Sequence, residues 1–348
     1  MKVGILLNSN NSLHQYSEKY EQILKQNNIP YLIINPNSAE LLEDLRGCSH
    51  LLFRHTQGDT DLMIYDTLYQ IAHDVFNIKC FPNRQTFWSY ENKIKETFLL
   101  SSYGFPIVDS RIFWNYESAI EYLQNAEMPF IIKLSKGAGS TNVVLIHTLK
   151  EAIRIIDQVF HKGVKAQGLK IKSNLASPLK IGFDKYLKQL LRAQLINFGI
   201  LKDHTAYPEW QIQKDAVIFQ KYLANNTYDT RITVIGDRAF GYRRFVRKND
   251  FRASGSGNFN TTPGEIDTQC LTTAFSISER LGFDTMAYDF IYDETGKVFI
   301  TEMSYCFVDW MVQSCPGYWD KGLEWHEGNF WPQRFQLEDF LGVKINYS

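Results

Sequence analysis

Two acidic residues placed inside otherwise apolar strands constrain this chain more than any other feature of its sequence. The segment Ala287-Tyr288-Asp289-Phe290-Ile291-Tyr292 is followed by Asp293-Glu294-Thr295-Gly296 and then by Lys297-Val298-Phe299-Ile300-Thr301-Glu302-Met303. β-branched and aromatic residues dominate both arms, and a polar, glycine-containing turn separates them, so the stretch reads as a β-hairpin. Asp289 and Glu302 then sit within buried-looking strands, where an unpaired carboxylate is costly. A hard cation such as Mg²⁺ gives the pair a reason to exist, because it takes carboxylate oxygens and bridges to phosphate. A surface hairpin with two solvated acids is the plainer alternative, and the segment alone leaves both open.

Length and charge narrow the class. A chain of 348 residues must form two or three structural units around at least one large core. Its net charge of -1 removes any whole-chain case for nucleic acid or an anionic membrane surface. Cys48, Cys80, Cys270, Cys306 and Cys315 are scattered and include no C-x-x-C pair, so neither a zinc site nor a disulfide scaffold is indicated. A reduced, cytoplasmic setting is expected. No apolar run is long enough to cross a bilayer, and residues 3–7 are too short for a signal peptide.

Residues 2–7, 31–34, 51–53 and 79–81 read as strands, with helix-like periods over 12–27 and 62–75. Strands alternating with helices imply a parallel α/β sheet, whose ligands bind beyond the carboxyl ends of the strands. Arg54 and His55 lie at one of those ends. Arg54 is a candidate for substrate binding, and equally an arginine of a surface loop. No G-x-G-x-x-G follows the first strand, which argues against a dinucleotide-binding domain. Residues 89–102 read as a helix capped by Ser89. Strands at 110–113, 130–134 and 143–146 with a helix over 149–159 suggest a second, smaller α+β unit. Residues 158–214 carry ten Lys or Arg against three Asp or Glu, with weak periodicity outside a helix-like stretch over 184–196. They read as a basic insertion, either a solvated surface or a collar for an anionic substrate. Strand patterns resume at 217–223, 230–235 and 239–246, and a helix over 267–281 precedes the acidic hairpin. The expected fold class is α/β with α+β. An N-terminal parallel domain covers 1–85, a smaller subdomain with the insertion covers 86–223, and a C-terminal subdomain over 224–348 carries the acids.

Three further segments carry chemistry. Pro129-Phe130-Ile131-Ile132-Lys133 ends an apolar strand on a lysine, and the small-residue run Ser135-Lys136-Gly137-Ala138-Gly139-Ser140-Thr141 follows directly. Such a loop can bring successive N–H groups close to phosphate oxygens, and glycine permits the approach because it lacks Cβ. No Gly-Lys-Ser/Thr opens a helix here, so this is not a Walker A sequence. An ordinary glycine-rich hairpin remains the plainer reading of the loop alone. Gln220-Lys221-Tyr222-Leu223 closes a strand whose amides and carbonyls suit an adenine edge, and Asp229 lies nearby to accept from ribose hydroxyls. Arg231, Arg244 and Arg252 then converge with the two acids, a set suited to an anionic substrate and transferring phosphoryl oxygens. No Ser/His/Asp or Cys/His arrangement competes as a nucleophile.

Taken in order, these segments resemble the ATP-grasp superfamily, especially its ribosomal-protein glutamate ligase and glutathione synthetase-like branch, over about residues 83–307. The resemblance implies a two-subdomain ATP-grasp core behind the N-terminal α/β domain. In it, Lys93 of Asn92-Lys93 resembles a lysine that reaches the nucleotide phosphates. Lys133 resembles the strand lysine on those phosphates, and Gly137, Ala138, Gly139 and Ser140 the loop that closes over them. Gln220, Lys221, Tyr222 and Leu223 resemble the adenine-binding linker, with Lys221 in place of the usual glutamate. Asp229 and Arg231 match an Asp-x-Arg, Arg244 and Arg252 match arginines beside the reacting centre, and Asp289 and Glu302 match the metal-binding acids. One departure stands out: Ser304 occupies the position of a metal-binding asparagine, and its hydroxyl is a shorter, weaker ligand.

The implied activity is ATP-dependent carboxylate–amine ligation through an acylphosphate, with ATP as co-substrate and Mg²⁺ as the cofactor, in two ions, or Mn²⁺ in its place. The implied partners are a small-molecule or sugar-derived carboxylate and an amine, without nucleic acid or a membrane span, and a homo-oligomer stays open. A kinase or phosphotransferase on the same core is one alternative. An ATP-binding module without turnover, prompted by Ser304, is the other.

Overall fold

The structure is a computed structural model, and it describes residues 1–54, 56–137, 141–164, 212–247 and 250–347. His55, Ala138, Gly139, Ser140, the helix-like stretch over 184–196 and most of the basic insertion lie outside the described residues. The chain divides into two compact units, residues 1–110 with 220–348 and residues 111–219.

In the first unit, strands β1 (Val3–Leu6), β2 (Tyr31–Ile34), β3 (His50–Leu52) and β4 (Lys79–Phe81) form a sheet in the order β2-β1-β3-β4. All three pairings are parallel, as alternating strands and helices require. Every residue of β1 is buried, the pattern of a strand covered on both faces. Helix Gln15–Gln26 lays Tyr16, Tyr20, Ile23 and Leu24 inward at helical spacing.

The second unit carries β5 (Ser110–Phe113), β6 (Phe130–Lys133), β7 (Val143–Ile146) and most of β8 (Val217–Lys221), in the order β5-β8-β6-β7. Its core gathers Phe130, Ile132, Val144, Ile146, Ile156 and Phe219. Helix Leu149–Asp157 opens with a capping box: Thr148 accepts from the Glu151 N–H while the Glu151 side chain reaches back.

The remaining strands belong to the first unit: β9 (Tyr228–Ile235), β10 (Arg238–Phe245), β11 (Phe259–Asn260), β12 (Thr285–Tyr292), β13 (Val298–Ser304), β14 (Gly317–Asp320) and β15 (Trp325–Glu327). Their path is β13-β12-β9-β10-β14-β15, with β11 on β10. The expected acidic hairpin is β12–β13, paired antiparallel. Strand alternation separates two faces. Ile232, Val234, Met286, Tyr288 and Phe290 share a core with Leu271 and Phe275 of helix Thr268–Leu281. Phe240, Tyr242 and Ala287 pack with Tyr16, Tyr20, Phe307 and Phe335 on the other side.

Ser89 does not cap the helix that follows it. It ends a short helix, Arg84–Trp88, and the next helix starts at Lys93 with Asn92 as its cap. Glu91 adopts a positive φ of 53° between them, which a continuous helix cannot accommodate. Among the described residues, no helix is long and apolar enough to cross a membrane.

Helix Gln15–Gln26 is capped by an imidazole: His14 Nδ1 accepts from the Tyr16 N–H at 3.0 Å. Accepting requires the neutral ring. Burial first, and Arg54 second, push its pKa down to about 4. A group depressed in the folded state contributes stability above its ordinary value of 6.5 and loses it as the pH falls toward 4. His14→Asn keeps a capping acceptor without the titration. The difference in unfolding free energy between wild type and His14→Asn, followed by urea titration, is therefore expected to be flat above pH 6.5 and to fall against the wild type between pH 6.5 and 4.

Candidate active site

Antiparallel pairing places Asp289 of β12 opposite Glu302 of β13 on one side and Arg231 of β9 on the other. On β10, Tyr242 faces Arg231 and Arg244 faces Asp229. Directly paired residues share a sheet face, as do residues two apart on one strand. The register therefore builds one polar row across four strands. A bulge between Asp289 and Phe290 interrupts the ladder beside it, a device that re-aims side chains at functional edges.

Within the row, arginine forks hold the carboxylates. Arg231 donates from Nε to Asp289 Oδ1 at 2.5 Å and from Nη2 to Oδ2 at 2.7 Å. Arg244 makes the same fork on Asp229, at 2.7 and 2.6 Å, and its Nη2 also lies 2.7 Å from Asp289 Oδ2. Burial alone would push the Asp289 carboxyl up. Arg231 and then Arg244 outweigh it and hold the group well below the usual carboxylate range. For Asp229 burial wins over Arg244, and the group is raised.

Lys93 begins helix Lys93–Ser102, where the Asn92 side chain accepts from the Lys95 N–H. Its Nζ lies 3.0 Å from Glu302 Oε1. Burial would lower its pKa, but Glu302, Glu96 and Glu91 hold it above the ordinary lysine value. Glu96, one turn further on, is buried and accepts from the Met303 N–H at 3.2 Å. Burial pushes its carboxyl up to about 8 against the pull of Lys93. The sequence reading passed over Glu96, although its signal was present: Lys93, Glu96, Thr97 and Leu100 share one buried helix face.

Other candidates lie elsewhere. Lys133 is buried at the end of β6, opposite Val143, in the second unit. Gly137 has φ 144°, and a Cβ there would come within 2.4 Å of the Thr141 carbonyl oxygen, so only glycine fits. The base of that loop is pinned by two residues not singled out in the sequence. Asn142 Nδ2 donates to the Lys136 carbonyl at 2.8 Å, and Gln213 Oε1 accepts from the Lys136 N–H at 2.7 Å. In the first unit, Gln220 is buried and donates to Ser110 Oγ at 3.0 Å, and the Lys221 N–H donates to the Asp109 carbonyl at 2.9 Å. Tyr222 meets Phe251 edge to face, and the Leu223 carbonyl accepts from Asn226.

Arg252 is not part of the row's ion pairs; it forks onto Asp250, two residues away, at 2.7–3.0 Å. Arg54 is buried over the Tyr16 ring, 3.8 Å from its centroid. Its terminal nitrogens donate to the carbonyls of Tyr305 at 3.0 Å and Phe307 at 2.8 Å.

Asp289, Glu302 and Ser304 share a face and offer oxygen donors only, the chemistry of a hard divalent cation. They differ in availability. The Glu302 side chain is 34% exposed and meets one lysine, whereas that of Asp289 is 7% exposed with both oxygens on guanidinium groups. Ser304 Oγ accepts from the Cys306 N–H at 3.2 Å. The set fits Mg²⁺ or Mn²⁺ in donor type, with Glu302 as its open member.

No family model and no curated protein sequence matches this chain. Solved structures do. D-alanyl-alanine synthetase A from Vibrio cholerae superposes at a TM-score of 0.59 with 11% identity, over 98% of this chain and 98% of its own. N5-carboxyaminoimidazole synthetase from Staphylococcus aureus gives 0.57 with 12% identity, over 99% and 78%. A RimK-domain ATP-grasp protein from Sphaerobacter thermophilus gives 0.53 with 11% identity, over 99% and 100%. This chain has the ATP-grasp fold. The acid row therefore stands on the large sheet of a chain with this fold, and at such identities the likeness speaks for architecture alone.

Removing one member of a buried ion pair leaves its partner uncompensated, which costs about 3–5 kcal/mol. Asp289→Asn is expected to lose stability on that scale, because it half-strips two arginines. The double variant Asp289→Asn/Arg231→Met is expected to lose less than the sum of the single changes. Urea unfolding of the cycle measures the coupling, and additive losses would show that the forks are not formed in solution.

Proposed function

We propose that this protein is an ATP-dependent carboxylate–amine ligase. The observation that supports this best is the single polar row of Asp229, Arg231, Arg244, Asp289 and Glu302, joined by Lys93, on an ATP-grasp sheet. Two of the structures sharing the fold are synthetases by their names, which supports the general class.

On this reading an oxygen of the substrate carboxylate attacks the γ-phosphorus of ATP, giving an acylphosphate and ADP. The amine nitrogen then attacks the acyl carbon, inorganic phosphate leaves with the bonding pair, and the nitrogen gives up a proton. Phosphoryl transfer of this kind depends on positioning and charge stabilisation more than on acid–base groups. Lys93, Arg231, Arg244 and Arg252 would meet charge developing on the transferring oxygens. Lys133 and the 137–140 segment would hold phosphates, and Gln220, Lys221, Tyr222 and Leu223 the adenine. Asp229 would act through Arg244, which it orients. Mg²⁺ or Mn²⁺, held by Glu302 with Asp289 and Ser304, would supply the positive charge that a triphosphate needs. Arg54 would shape the acid-substrate side by fixing the Tyr305–Phe307 backbone.

A panel of small carboxylic acids crossed with amines, incubated with ATP and Mg²⁺ and read by ADP release and mass spectrometry, tests the reaction. An amide with stoichiometric ADP and phosphate is the expected result. A stable phosphorylated acid formed without amine would make the protein a kinase, and ATP binding without turnover would make it a binding module. With the active pair, Lys133→Met is expected to slow ADP release roughly a hundredfold at an unchanged unfolding midpoint. Ser304→Asn is expected to tighten Mn²⁺ binding in the presence of ATP, followed through the free-Mn²⁺ resonance. Weakened binding would show that Ser304 does not stand at a ligand position.

A further inference from the structure

A cavity of about 670 Å³ in the first unit lies apart from the acid row. Asp284 lines it, one residue before β12, and Asp289 stands five residues further along, about 16 Å away at ~3.3 Å per residue. Its walls include Tyr69, Phe81, Phe283 and Phe340. The charged groups around it are matched unequally. Arg238 Nη1 donates to both oxygens of Asp339, at 3.1 and 3.0 Å. Asp237 meets Lys321 at 2.9 Å. The Lys79 ammonium donates to the Phe340 carbonyl.

Asp284 differs from these. Its carboxylate accepts the Asn83 main-chain N–H at 2.7 Å and the Asn83 side-chain amide at 3.0 Å. No cation lies within ion-pair distance of it among the described residues. The cage is rigid. Asn83 Oδ1 caps the next helix at the Thr86 N–H, and the Asp284 N–H donates to Thr86 Oγ1 at 2.9 Å. Burial pushes this carboxyl up to about 6, against the Asn83 donor and the more distant Lys79 ammonium, the mark of a negative charge held in poorly solvated surroundings.

We propose that this cavity binds a small organic ammonium compound with an aromatic or branched apolar body, the amine on Asp284 and the body against Phe81, Phe283 and Phe340. An ammonium supplies the opposite charge that Asp284 lacks within ion-pair distance, and aromatic walls favour a cation as well as an apolar body. The volume is that of a small-molecule site. The proposal is independent of the ligase reading, since none of these residues belongs to the acid row.

Benzylamine, benzyl alcohol and benzoate, titrated into the full chain by calorimetry, separate charge from shape. Benzylamine is expected to bind at least about tenfold more tightly than benzyl alcohol, and benzoate not at all. Asp284→Asn is expected to abolish the preference for the amine. On the wild-type protein, methyl resonances of Ile78, which also lines the cavity, are expected to shift with benzylamine while those of Ile232 and Ile300 stay fixed. No saturable benzylamine binding at millimolar concentration, an unchanged preference in Asp284→Asn, or shifts away from Ile78 would overturn the proposal.

Discussion

Antiparallel pairing across β13, β12, β9 and β10 forces alternating charges onto one sheet face, and the character of the site follows from how they are matched. A carboxylate as buried as Asp289 cannot stand alone. Arg231 reaches it from the neighbouring strand and Arg244 from the strand beyond. Arg244 needs its own second acid, and Asp229 provides it in direct register. No member is dispensable by itself, because each is the reason that its neighbour can be buried.

The same arithmetic describes the cluster as a whole. Three cations, Lys93, Arg231 and Arg244, face three acids, Asp229, Asp289 and Glu302, and Glu96 and Glu91 add acidic groups beside Lys93. Such a cluster has no surplus positive charge for a triphosphate. On the proposed reading the surplus comes from the divalent ion, and the forks must partly open as phosphate takes over the guanidinium donors. Glu302 is the member best placed to begin that exchange, since it is the most exposed and has one lysine partner instead of two arginines.

The regular elements were legible in the sequence because their signals are local. Period-two and helical patterns placed the parallel sheet, the small sheet and the acidic hairpin. Asp289 and Glu302 stood out because an acid in an apolar strand violates the pattern around it. What the sequence could not give was pairing partners. That Asp289 meets Arg231 and Arg244 depends on which strand lies beside which, and the β9–β12 adjacency joins segments more than fifty residues apart. Ser89 was misjudged for a local reason, the positive φ at Glu91 that moves the helix start to Lys93. Glu96 escaped because an acid on a helix is unremarkable until a neighbouring strand buries it. The unmatched Asp284 was likewise invisible, because its cage is made by Asn83, two hundred residues earlier in the chain.

Arg54 shows how the N-terminal sheet is tied to the end of the acid strand without touching the acid row's ion pairs. Its guanidinium, lying over Tyr16, donates to the carbonyls on either side of Cys306. Those carbonyls follow directly on Ser304, the last residue of β13. A buried arginine with two carbonyl acceptors makes a stiff strut, since breaking either bond leaves a charged donor unsolvated. The end of the acid strand is thereby fixed from β3, and the path of residues 305–307 is set by the N-terminal sheet as much as by the sheet that carries the acids. A substitution at Arg54 should thus disturb Glu302 and Ser304 through the backbone, which distinguishes a strut from a residue that binds substrate with its own side chain.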